Sequence, residues 1–215
     1  GKATINITGG HIGITGTDGG DVYGSARGEA ADRYTMAHLA YVKDAEVNIN
    51  YPTTVNVSDL SDTSKGCITG SVHGSGENGY VYGDTKVTLS NGLIAHSLYG
   101  GGKGKGTYKK TLPILVGSGN KECDIYGLLS GKVMGNTYVT MSGGHVMRNV
   151  YGGGNMGSVG KGNYAGGADD YYPTGYGETL TGNLWDGISN DSKAFFNSGK
   201  TNVNVIGGTV GYVDS

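Results

Sequence analysis

Residues Thr137–Gly154 read TYVTMSGGHVMRNVYGGG, and residues Thr85–Gly102 read TKVTLSNGLIAHSLYGGG. A third copy is split: Ala3–Gly10 reads ATINITGG, and Asp21–Gly24 closes it with DVYG. Lys200–Tyr212 reads KTNVNVIGGTVGY and stops short of a closing Tyr-Gly. A strand, Gly-Gly, strand, Tyr-Gly unit that recurs along a chain marks a stacked repeat architecture.

Within each copy the apolar residues alternate with period two. The pairs are Ile5 and Ile7, Val87 and Leu89, Val139 and Met141, and Val203 and Val205, flanked by Thr, Asn or Ser. Val47 with Ile49, and Val55 with Val57, are weaker copies. Such alternation in β-branched residues predicts short strands with one buried face. Asn91-Gly92 would ordinarily announce a hairpin. Here it stands where Gly9-Gly10, Gly143-Gly144 and Gly207-Gly208 stand, so it reads as a corner between two strands of one turn. A second short strand follows at Ile12, Ile94, Val146 and Val210, and a third carries Tyr23, Tyr82, Tyr99, Tyr126 and Tyr151.

Three short strands per turn joined by glycine corners describe an all-β, parallel β-helix, each strand pairing with its equivalent about 4.8 Å away. A right-handed sense is what parallel crossovers overwhelmingly adopt. A sandwich or barrel would show independent strands and hairpin turns instead. The spacing is uneven: Val47 to Val87 is 40 residues, Val87 to Val139 is 52, and Val139 to Val203 is 64. Either some turns are degenerate or loops are inserted. Three insertions stand out in this single domain of residues 1–215. Residues 26–42 carry the one credible helix, residues 102–116 are basic, and residues 160–199 hold the only Trp and both Phe.

Composition narrows the class. Glycine supplies 44 of 215 residues and proline only 3, which excludes collagen and a Pro/Gly linker. Net charge is −2, so no basic field exists to hold nucleic acid. No apolar run approaches about 18 residues, so no membrane insertion is expected of this segment. Cys67 and Cys123 are far apart in sequence; they pair across adjacent turns or are two buried thiols. The chain opens on Gly1-Lys2 without a signal peptide, and it begins and ends inside repeats. This reads as a segment of a longer protein, since stacked repeats need polar end caps.

The phrase SGGHVMRNVYGGGNMGSV, at residues 142–159, and its weaker copies resemble the glycine-rich repeats of bacterial secreted and surface β-helix proteins. These are adhesin-like proteins with a pectate-lyase-like right-handed helix. The resemblance covers most of the chain outside the insertions and implies an extracellular or cell-surface location. That fold hosts polysaccharide lyases, glycosidases and non-enzymatic adhesins alike, so it does not choose among activities.

The chemistry-bearing residues are sparse. Ala194–Thr201, AFFNSGKT, fits a relaxed phosphate-loop pattern, but Lys200-Thr201 opens a strand where such a loop needs a helix. Residues 102–106, GKGKG, read as a solvated loop for want of a surrounding βαβ unit. No Cys-x-x-Cys or His-x-x-x-His spacing offers a zinc site. His11 and His145 share a repeat position with Leu93 and Thr209, which reads as a half-exposed face rather than a ligand position. Asp18, Asp21, Asp169 and Asp170 are possible calcium ligands, but the nonapeptide of calcium-binding β-rolls does not recur, and no cofactor is expected.

Lyases on this fold use clustered acids, calcium and an Arg or Lys base; glycosidases use two carboxylates roughly 5–10 Å apart. The acids available are Asp18, Asp21, Glu29, Asp32, Asp169 and Asp170, with Arg27, Arg33 and Arg148 as bases, and no spacing makes them converge. The strongest binding candidate is the longest insertion, through Asp169, Asp170, Tyr171, Tyr172, Tyr176 and Trp185. Aromatic faces there would stack on sugars while the carboxylates accept from hydroxyls. The same aromatics would equally pin a long loop to the wall, and the repeat tyrosines read as a structural ladder. The expected function is a non-enzymatic surface scaffold that contacts glycans or host surface proteins. A carbohydrate-active enzyme working in a groove along the helix, and a passive spacer, are the alternatives.

Overall fold

The computed structural model describes residues 1–17, 19–28, 41–104, 107–113, 120–126, 130–160 and 199–212, with 107–113 and 120–126 described as backbone alone. The described residues are mostly strands with almost no helix, consistent with an all-β class, and their sheets are almost entirely parallel. Lys2–Ile7, Asp44–Asn50, Thr85–Asn91, Thr137–Met141 and Thr201–Val205 form a first sheet, side by side in chain order. Register turns the alternating residues into columns: Ile5, Val47, Val87, Val139 and Val203 in one, Ile7, Ile49, Leu89, Met141 and Val205 in the next. The middle members are sealed from solvent, whereas Val203 is 46% and Val205 48% exposed because their strand lies at the sheet edge.

A second sheet pairs Leu93–Ile94, His145–Val146 and Thr209–Val210, and single bridges extend it through Ile68 to Ile12. A third pairs Val22–Tyr23, Val72–His73, Leu98–Tyr99 and Val150–Tyr151. A fourth pairs Tyr41–Val42 with Tyr80–Val81 and continues by bridges to Val133 and Val159. The sequence predicts three strands per repeat; the fourth went unseen because its strands, as short as those of the second and third sheets, carry no flanking phrase common to the copies. The chain visits the four sheets in the same order in the first four repeats, and the fifth is described only in the first two sheets. Inward side chains of the first three sheets share one core, from Val47, Leu89 and Met141 to Ile68, Ile94, Val72 and Leu98. Ala45, Val81 and Val133 form a second cluster between the first and fourth sheets.

The uneven spacing therefore comes from insertions, not from degenerate repeats. Residues 51–67 separate the first and second sheets in the second repeat. There Val57–Asp59 forms a 3-10 turn and Val55 packs beside Cys67 and Leu93, so this pair is not the strand its spacing predicts. In the basic insertion Thr107–Pro113 pairs antiparallel with Asn120–Tyr126, a hairpin rather than a loop. Tyr126 lies in that hairpin, and Tyr82 follows the fourth sheet, so neither joins the Tyr-Gly strands of the third. The expected helix lies mostly outside the described residues, but its end, Tyr41–Val42, is a strand. Cys67 is a buried free thiol, and the Cys123 side chain lies outside the described residues.

The Tyr-Gly ending has a steric cause. Gly24, Gly74, Gly100 and Gly152 close the third-sheet strands one above another. A Cβ on Gly24 would sit 2.3 Å from the Gly74 carbonyl oxygen, one on Gly74 2.2 Å from that of Gly100, and one on Gly100 2.4 Å from that of Gly152. The Thr that heads the last three first-sheet strands, where the first two carry Ala3 and Ala45, stands over the same column. The buried Thr85 hydroxyl donates to the Gly100 carbonyl at 2.6 Å, and Thr137 donates to Gly152 at 2.5 Å. Replacing Thr85 by Val keeps the shape and deprives that carbonyl of its donor, with an expected loss of about 1–3 kcal/mol by equilibrium urea unfolding. A loss below a few tenths would mean that the hydroxyl is dispensable.

Candidate functional site

The outward positions of the third sheet are Tyr23, His73, Tyr99 and Tyr151. Parallel strands lie about 4.8 Å apart, and flat rings at equivalent positions can stack at that spacing. They do, with centroids 5.0, 4.7 and 4.9 Å apart and planes within 13°. The tyrosine ladder read from the sequence is real, but one member is a histidine. Because ring faces are spent on each other, most of the ladder presents only edges to solvent.

Beside the ladder lies a groove of about 460 Å³, within the range of small-molecule sites. Asp21, Ser71, Ser97, His73 and Tyr99 line it from the third sheet, and His96 and Arg148 from the corner before that sheet. Lys103, Asn155 and Thr17 complete the wall.

Its acid is fully engaged. Asp21 accepts the Ser71 amide at 2.7 Å through one oxygen, and the Tyr23 hydroxyl at 3.0 Å and Lys103 Nζ at 3.1 Å through the other. Burial alone would raise its carboxyl, but these donors outweigh burial and hold it below its ordinary value. Burial and the neighbouring carboxylate push Tyr23 up to about 12. Lys103 is also raised, to about 12: burial opposes its charge, but bonding to Tyr23 and Asp21 prevails. Glu77 approaches Lys103 at 4.0 Å and pairs with Arg27 at 3.2 Å. Lys103 is thus a fixed structural cation between two carboxylates, not part of a solvated loop. Asp21, held below its ordinary value, is not poised as a general acid, which needs a raised pKa.

The imidazoles behave differently. His73 is fully buried, and neither ring nitrogen has a hydrogen-bond partner. Burial lowers it to about 4, Lys103 adding to the effect and Asp21 opposing it. His96, partly buried, is lowered by burial and then by the Arg148 charge. Arg148 is exposed and has no ion-pair partner among the described residues.

Of the candidates read from the sequence, Asp21 and Arg148 meet in this groove, while Arg27 binds Glu77 outside its lining. Asp18, Glu29, Asp32 and Arg33 lie outside the described residues, as do Asp169, Asp170, Tyr171, Tyr172, Tyr176 and Trp185. Among the described residues no cluster of three or more His, Cys, Asp or Glu is placed to hold a metal ion. His11 and His145 do sit in the column shared with Leu93 and Thr209, and their rings contact the Lys65 and Gly211 carbonyls at 3.0 and 2.8 Å. The residues missed were His73, His96 and Lys103. Ser71-Val72-His73-Gly74 aligns with Asp21-Val22-Tyr23-Gly24, so a search for the strand rather than for Tyr-Gly would have found His73.

Comparison of the chain with protein-family models, with curated proteins and with solved structures finds no match.

Proposed function

We propose that the four sheets are the faces of a right-handed parallel β-helix, a segment of a bacterial surface or secreted protein that contacts glycans without catalysis. The common order in which the first four repeats visit the sheets supports the helix, and the preference of parallel crossovers supports its hand. The resemblance of the repeats to adhesin-like proteins supports the location. One observation carries the binding role: the polar groove beside the Tyr-His-Tyr ladder, walled by serines, Asn155 and fixed charges on a repeat scaffold. Hydroxyls and an amide held on rigid strands are suited to sugar hydroxyls, and Asp21 is already neutralised.

A glycan array run beside a panel of host-matrix proteins tests this reading. The chain is expected to retain a restricted set of glycans, and Asn155→Trp, which fills the groove, to abolish retention while the circular dichroism spectrum is unchanged. Silence on the array from the folded chain would sink the reading.

A further inference from the structure

The groove is asymmetric in charge. At one end Lys103 is neutralised by Asp21 and Glu77. At the other, His96 and Arg148 follow each other on one corner column: the His96 amide donates to the Gly70 carbonyl at 3.2 Å and the Arg148 amide to the His96 carbonyl at 3.2 Å. Equivalent positions on neighbouring strands lie about 4.8 Å apart, so the imidazole and guanidinium rise from adjacent steps of one ladder. Neither has an acidic partner among the described residues. Between the two ends lie Ser71 and Ser97 and the buried, unpartnered ring of His73.

We infer that the groove selects an acidic saccharide, whose carboxylate or sulfate is clamped by Arg148 and His96 while its hydroxyls meet Ser71, Ser97 and Asn155. This rests on the glycan-binding reading and narrows it to anionic sugars. A guanidinium offers paired donors in a plane that matches an oxyanion, and the adjacent imidazole supplies another when protonated. The groups facing His96 are Arg148 and, more weakly, Asp21, with His73 and Lys103 further along the groove. Arg148 disfavours the imidazolium; a bound anion between the two reverses that effect. Binding therefore takes up a proton, and affinity rises as pH falls.

The test is titration calorimetry on the whole chain with three oligosaccharides of equal length: neutral N-acetylglucosamine, glucuronate-containing, and sulfated. At least one acidic oligosaccharide is expected to bind tenfold or more tightly than the neutral one, and several-fold more tightly at pH 5.5 than at pH 7.5. Arg148→Ala should remove the preference, Arg148→Lys should restore part of it, and His96→Gln should remove the pH dependence while leaving binding measurable. The arm that binds identifies the anionic group. Equal binding of neutral and acidic sugars, or unchanged preference in folded Arg148→Ala, overturns the anion clamp and leaves the glycan reading standing. No binding of any of the three, together with a silent array, overturns both.

Discussion

Replacing Gly74 by alanine is expected to unfold the protein or remove about 3–5 kcal/mol of stability, at the upper end of what overpacking does. The new Cβ would lie 2.2 Å from the Gly100 carbonyl oxygen and 2.9 Å from Val87 Cγ2. Neither neighbour can yield cheaply. The Gly74 amide donates to Tyr99 at 2.9 Å, and the Gly100 amide donates to Tyr151 at 2.9 Å, so moving the carbonyl breaks ladder bonds on both sides. Val87 is completely buried in the core. Gly153 provides the contrast: a Cβ there meets nothing within 4 Å. Gly153→Ala should stay within about 0.5 kcal/mol of the parent. Urea unfolding of the two variants side by side checks this, and similar stabilities would refute the packed glycine column.

Acidification is expected to weaken the fold across a window set by His73. In the unfolded chain this imidazole takes up a proton near its ordinary 6.5; in the fold it does so only near about 4. Between those values the unfolded state binds more protons, so stability rises with pH. The contribution is complete above 6.5 and lost by about 4, amounting to about 2–4 kcal/mol for a side chain with no exposure. Asp21 acts in the same direction but lower, because a lowered carboxyl loses its contribution only as pH falls below the ordinary 3.8. His73→Tyr installs the residue that the neighbouring repeats carry and should flatten the stability curve between pH 6.5 and 4.5. His96 leaves a smaller slope of the same sign. Parallel stability–pH curves for parent and variant would show that the buried imidazole does not titrate as described.

The legibility of the fold followed the length of its strands. The first-sheet strands have five to seven residues, enough for period two to show in Val87-Thr88-Leu89 or Val139-Thr140-Met141. The second and third sheets have strands of only two residues and are marked instead by the recurring Gly-Gly and Tyr-Gly beside them; the fourth, where Val133 and Val159 join through single bridges, has no such common phrase. Val55 and Val57 show the opposite failure, alternating in sequence while their backbone turns through a short 3-10 segment. The groove was less legible still. Asp21 and Lys103 lie in different repeat positions, and His96 and Arg148, though equivalent in their two copies, are different residue types, so no shared motif marks the four.

By itself the sequence determined that the chain repeats and that its long strands bury alternate residues. Those properties belong to single repeats and depend on side-chain size and polarity. Only the tertiary structure decided which residues face one another across repeats. Parallel register puts His73 between two tyrosines, the bridge between Glu77 and Lys103 sets Lys103 within reach of Asp21, and one corner column sets His96 next to Arg148. Charges and rings acquire their chemistry from such neighbours, and neighbours separated by 50 or 80 residues are set by stacking, not by spacing along the chain.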